Sequence, residues 1–105
     1  MSQGPAVQVR FHRLASQEYL RALRGYARRS TVAAQRFHDA IDQAVRRIAG
    51  SPQAWPIFRP QFRWVRAGRF PYIVYYRVIS HMDVLIVAVA HQRRRPGYWK
   101  RRSPP

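Results

Sequence analysis

The chain contains no cysteine. That excludes disulfide bridges, thiolate metal sites and thiol nucleophiles together. Acid is almost as scarce, with only Glu18, Asp39, Asp42 and Asp83 against nineteen arginines and one lysine, a formal net charge of +16 over 105 residues. No two carboxylates are placed for acid/base work, no glycine-rich loop is placed to cradle phosphates, and no serine has a histidine–acid relay. The four histidines, at 12, 38, 81 and 91, lack metal-ligand spacing, so neither a metal nor a cofactor is expected. No apolar run reaches the roughly 18 residues that cross a bilayer, and the N-terminus has no apolar signal region. The reading is a cytoplasmic protein with no membrane partner.

What is present is a large positive surplus on a greasy scaffold. Hydrophobic residues make up 47% of the chain, enough for one modest core and hence one domain over 1–105, with flexible ends at 1–6 and 100–105. The field around such a molecule calls for an anionic companion: nucleic acid, an anionic surface or an acidic protein.

Val7, Val9 and Phe11 alternate with Gln8, Arg10 and His12, the period of a half-buried strand running to Leu14. Ser16 then caps a helix with the stripe Leu20, Leu23 and Ala27, flanked by Tyr19 and Tyr26, leaving Arg21, Arg24 and Arg28 outside. Ser30 or Thr31 caps a second helix whose stripe Ala33, Phe37, Ile41, Ala44 and Ile48 is the clearest period in the chain, stopped by Gly50 and Pro52. Pro52, Pro56 and Pro60 make 51–61 an irregular connection that lays Trp55 and Phe58 on the domain. Phe62–Arg66 reads as a strand with its turn at Ala67-Gly68-Arg69, and Phe70–Ile79 and Val84–Ala90 form a hairpin around Ser80-His81-Met82-Asp83.

The fold class is therefore α+β: an N-terminal strand, a helical hairpin, then a three-stranded antiparallel meander, all in one mostly antiparallel sheet. Pairing Ile79 with Val84 puts Tyr72, Val74, Tyr76, Val78, Leu85, Val87, Val89 and His91 on the core face. Ile73, Tyr75, Arg77, Ile79, Val84, Ile86, Ala88 and Ala90 fall on a second, partly exposed face open to a partner.

The hairpin runs directly into His91-Gln92-Arg93-Arg94-Arg95-Pro96-Gly97-Tyr98-Trp99. From Arg93 to Arg102 six cations, with Tyr98 and Trp99 among them, meet no acid. Guanidinium forks pair with phosphate and aromatic planes stack on unpaired bases, a mixture suited to single-stranded nucleic acid or RNA. Arg63, Arg66, Arg69 and Arg77 are further candidates for an external anion. The bland readings stand beside these: a solvated basic tail, a strand-end His91 packed on Tyr72, and Trp55, Phe58 and Trp64 as anchors. The chemistry left open is metal-free RNA cleavage by Arg, His and Tyr side chains. The other readings are non-enzymatic, among them a basic nucleic-acid-binding module.

The segments Val65–Val78, reading VRAGRFPYIVYYRV, and Ala90–Trp99, reading AHQRRRPGYW, resemble the ParE/RelE toxins of type II toxin-antitoxin systems. Ala34-Gln35-Arg36-Phe37 through Ile48, with Ser51-Pro52, is similar to that family's second helix and following loop, so the resemblance spans most of the chain. It implies a small bacterial toxin of RelE/ParE-like fold, held inactive in a hetero-oligomer by a cognate acidic antitoxin encoded beside it. The antitoxin contacts would be Tyr75, Arg77, Ile79 and Ile86. The family divides into RelE-like cutters of mRNA on the ribosome and ParE-like poisons of DNA gyrase. A cutter would use Arg63, Arg66, His91, Arg93 and Tyr98, but this chain has Ile73 and Gln92 where cutters carry arginine. The His91-x-Arg93-Arg94 pattern is closer to ParE. The target-facing set implied is Arg77, His91, Arg93, Arg94, Arg95, Tyr98 and Trp99, with growth inhibition through gyrase.

Overall fold

The structure, a computed structural model, describes residues 7–102; the expectations for 1–6 and 103–105 lie outside the described residues. In chain order the elements are β1 Gln8–Phe11, α1 Arg13–Ala27, α2 Thr31–Gly50, β2 Arg63–Arg66, β3 Tyr72–Ser80 and β4 Asp83–His91. They form a four-stranded sheet in the order β1-β4-β3-β2 with the helical hairpin on one face. β1 runs parallel to β4 while the other two pairings are antiparallel. The expected α+β arrangement is thus observed.

β1 is shorter than its alternation suggests, and α1 begins earlier than Ser16. His12 is extended at φ −60°, ψ 144°, and its Nδ1 accepts from the Leu14 amide at 3.0 Å. The Ser16 amide already makes the helix's first bond, to the His12 carbonyl, so Ser16 is a first-turn residue and His12 the cap. Burial, and next the charges of Arg102 and Arg13, hold the His12 pKa below its usual value. The neutral ring keeps the lone pair that caps the helix.

α1 also turns a different line inward. Ala15 and Ala22 are its buried residues, Tyr19, Leu23 and Tyr26 are partly buried, and Leu20 is 43% exposed. The small alanines let α1 approach the sheet closely, whereas the larger Leu20 projects aside. α2 follows its stripe: Ser30 caps it through Oγ, and Phe37, Ile41, Ala44 and Ile48 are buried. Fully burying Phe37 and Ile48 contributes about 1.5–3 kcal/mol each. Phe37 meets Tyr26, Phe70 and Tyr72 at ring separations of 4.9–5.3 Å, pinning the helical hairpin to the turn before β3. That turn needs Gly68 at φ +56°, a left-handed conformation that costs other residues.

The hairpin register is half as expected. Tyr72↔His91 through Tyr75↔Ala88 match the Ile79–Val84 pairing, but Tyr76 then pairs with Ile86, and Val78 with Val84. Val87 and Ile79 are the extra residues at two bulges, and each bulge shifts the pleat by one. Val84 and Ile86 therefore pack under the helices, while Leu85 and Val87 move to the second face. The expected open face is not open either. Trp99 is fully buried on it, 4.4 Å from the Tyr75 ring and 4.7 Å from Phe62, so the chain's own end and the 56–62 loop cover Leu85, Val87 and Ala88. Trp55 packs on the helix-side core and Phe58 on this second one.

Candidate functional site

The site grows from an unfinished sheet edge. β1 follows β4 only as far as Ile86, whose carbonyl accepts from the His12 amide. Past that point α1 leaves the sheet and crosses β4, and two side chains take over the edge. The Val89 amide donates to Glu18 at 3.0 Å, and the Val87 carbonyl accepts from Arg102 at 3.0 Å. Glu18 reaches that edge because it shares the inward line of α1 with Ala15 and Ala22.

Glu18 is the hub of the site. Besides the Val89 amide it accepts from the Tyr98 hydroxyl at 2.6 Å and from both Arg102 guanidinium nitrogens at 3.0 Å, while Arg94 lies 3.7 Å away. Its side chain is 11% exposed and that of Arg102 14%. Arg94 sits 3.7 Å from the Tyr98 ring centroid and Arg102 5.2 Å, so the ring is flanked by two cations. Burial, then the bond to Glu18 and its charge, push the Tyr98 hydroxyl well above its ordinary pKa. It stays protonated and donates. Arg102, in a stretch expected to be loose, thus anchors the chain end across the edge of β4.

Beside this lock a cleft of about 450 Å³ opens between α1 and the end of β4, bordered by Arg21, Gly25, Arg29, Tyr72, His91 and Arg94. His91 packs edge-on against Tyr72 at 5.2 Å, and its Nδ1 accepts from the Arg93 amide at 3.1 Å, which bears out the packing role. A second cleft, of about 320 Å³ at the other end of β3, gathers Arg63 and Arg77 with Gln53 and Gln61. Arg63 is held there by the Trp55 carbonyl at 2.7 Å and by Gln53 at 3.3 Å.

The residues singled out from the sequence are therefore divided. Arg93, Arg94 and Arg95 are exposed on the turn after β4, and His91 and Tyr98 lie beside them, each partly buried. Trp99 is buried in the second core and faces no target surface. Arg66 pairs in register with Ile73, itself opposite Ala90, on the sheet face away from His91. Of the four suggested antitoxin contacts, Ile86 lies buried under the helices and Tyr75 under Trp99, while Arg77 and Ile79 are partly exposed. Glu18 is the residue that sequence reasoning missed. The available signal was an acid in line with the small residues of an otherwise basic helix, in a chain with four acids in all.

All twenty lysine and arginine side chains lie within the described residues. Arg10, Arg46, Arg94 and Arg102 make ion pairs there, and the other sixteen have none. No helix among the described residues is long and apolar enough to cross a membrane.

Comparison with known proteins adds a family. The model of the ParE toxin of type II toxin-antitoxin systems, parDE, matches residues 9–96. Among solved structures, a chain of the chromosomal ParDE TA system from P. aeruginosa is similar at 15% identity and a TM-score of 0.57. The match covers 82% of this chain and 96% of that one; at this identity it speaks to the fold alone. No curated protein sequence matches.

Proposed function

This chain belongs to the ParE toxin family of type II toxin-antitoxin systems, and from that premise we propose that it arrests growth by binding and disabling DNA gyrase, without cutting RNA. An antitoxin is the partner that family membership brings. The sixteen cations that make no ion pair among the described residues favour an acidic one, which would relieve self-repulsion and raise the toxin's apparent stability by mass action.

One observation carries the choice of a binding mechanism over a hydrolytic one: the two β2 arginines that a metal-free nuclease would use stand apart from His91, Arg93 and Tyr98. Base, acid and cations must reach the same phosphate. Here Arg63 is tied into the cleft with Arg77, and Arg66 lies across the sheet from His91. The Tyr98 hydroxyl donates a hydrogen bond to Glu18 and resists ionisation. The exposed Arg93, Arg94 and Arg95 and the partly buried His91 instead form a basic corner suited to docking. Arg77, at the far end of β3, is a second, separate contact.

Inducible expression in a bacterial host, with and without the reading frame adjacent to the gene, tests the proposal. The expected result is growth arrest relieved by the neighbouring acidic product, with mRNA 5′ ends unchanged by primer extension. New mRNA ends that disappear on Tyr98→Phe would establish cleavage and overturn it.

A further inference from the structure

The cleft between α1 and β4 has features that the lock beside it does not require. Arg21, Gly25 and Arg29 follow one another at four-residue steps along α1 and just past its end, so they lie on one wall at spacings of roughly 6 Å. A glycine inside a helix lowers helix stability relative to alanine, and packing does not call for this one. A Cβ built at Gly25 meets no atom within 4 Å, and its φ is not positive. The absent side chain leaves open space on the wall between Arg21 and Arg29.

The chemistry of the walls is one-sided. Arg94 and His91 border the cleft on the β4 side, and Tyr26 and Tyr72 add phenol groups. Among the described residues that line the cleft Glu18 is the one carboxylate, and its oxygens already accept from Val89, Tyr98 and Arg102. Arg21 and Arg29 make no ion pair among the described residues. Arginines at a helix C-terminus also complement its dipole, which accounts for Arg29 but not for Arg21, six residues before the helix end. Arg21 and Arg29 line one wall and Arg94 the other, and guanidinium groups on two walls match a compact oxyanion carrying more than one charge. About 450 Å³ of open space accommodates more than a single carboxylate side chain.

We propose that this cleft is a phosphate-binding site, taking the phosphate of a nucleotide or of a nucleic-acid strand. Arg21 and Arg29 clamp it from α1, Arg94 closes on it from the opposite wall, and Gly25 leaves the room for its approach. The assignment shares Arg94 and His91 with the docking corner but stands on Arg21, Gly25 and Arg29, which the gyrase reading does not use.

Isothermal titration of the full chain with inorganic phosphate, adenosine monophosphate, a short single-stranded oligodeoxynucleotide and hexaglutamate provides the test. Phosphate-bearing probes are expected to bind. Gly25→Leu, and separately the double variant Arg21→Gln with Arg29→Gln, should each weaken them by about tenfold or more. Arg36→Gln, an exposed cation on α2 outside the cleft, should change affinity by less than about twofold, as expected for diffuse attraction alone. Gly25→Leu removes no charge and improves helix propensity, so a preserved thermal melt shows that its loss of binding is local. Binding of the mononucleotide supports a nucleotide site, and binding of the oligonucleotide alone supports a strand site. A folded Gly25→Leu with wild-type affinity overturns the proposal. So does hexaglutamate binding as tightly as the phosphates and failing with the same variants, since that marks a groove for acidic peptide.

Discussion

Replacing Glu18 by alanine removes one carboxylate and strands three partners: the Val89 amide, the Tyr98 hydroxyl and the Arg102 guanidinium, all within 2.6–3.0 Å of it. Because the Glu18 and Arg102 side chains are only 11% and 14% exposed, water does not readily replace the lost contacts. Breaking such a pair by deleting one member costs about 3–5 kcal/mol, much of it from the charge left behind. For a domain of this size that is a large share of a total stability of roughly 5–15 kcal/mol. At roughly 4–8 °C per kcal/mol it lowers the melting temperature by at least about 12 °C. Arg102→Ala should cost less, because Glu18 keeps the Val89 amide, Tyr98 and the nearby Arg94. The double variant should therefore be well short of additive, with a coupling of about 1.5–3 kcal/mol. Thermal and urea unfolding of the four chains measures the cycle. A Glu18→Ala cost below about 1 kcal/mol, or additivity within about 0.5 kcal/mol, would refute the claim that this carboxylate anchors the chain end to the edge of β4.

Gly25→Ala should stabilise the fold by about 0.5–1 kcal/mol, since its Cβ meets open space in a helix interior; a lower melting temperature would contradict that geometry. At high pH the tyrosines govern stability: burial pushes Tyr76 up to about 12 and raises Tyr98 as well. A pKa raised on folding contributes stability that is complete below the unfolded value near 10 and is lost as pH rises through the folded one. Unfolding free energy should thus fall above about pH 10, by up to about 1.4 kcal/mol per pH unit for each tyrosine. The His12 pKa, lowered on folding, gives the opposite sign, with stability present above about 6.5 and declining on acidification below it. Trp99→Ala should cost about 3–5 kcal/mol, while Trp99→Phe should be much milder because the buried indole N–H makes no hydrogen bond among the described residues; urea midpoints compare the two.

How much of this was legible in the sequence depended on whether one local period carried the information. α2 announced itself because Phe37, Ile41, Ala44 and Ile48 recur at helical spacing and all point inward. The existence of β3 and β4 was equally plain from their valine, isoleucine and tyrosine content. The faces of β4 were not, because Asp83–His91 is apolar on both sides and nothing in its pattern marks the bulge at Val87. The start of α1 was misplaced since a histidine cap gives a weaker signal than the serine four residues on. The candidate site was least readable. Glu18 acts through Val89, Tyr98 and Arg102, 71 to 84 residues away, and only the crossing of α1 over the unfinished edge of β4 brings them together. The basic corner at Arg93–Arg95 was visible as composition, but Trp99 looked like part of it, because a sequence does not show that the chain turns back onto the second sheet face.

The most direct test of the account is supercoiling of relaxed plasmid by purified DNA gyrase in the presence of this chain. Inhibition is expected at a toxin concentration comparable to that of the enzyme, weakened by joint Arg93→Gln and Arg95→Gln substitution and abolished by the cognate antitoxin. Full supercoiling in the presence of an excess of folded, growth-arresting toxin would contradict it.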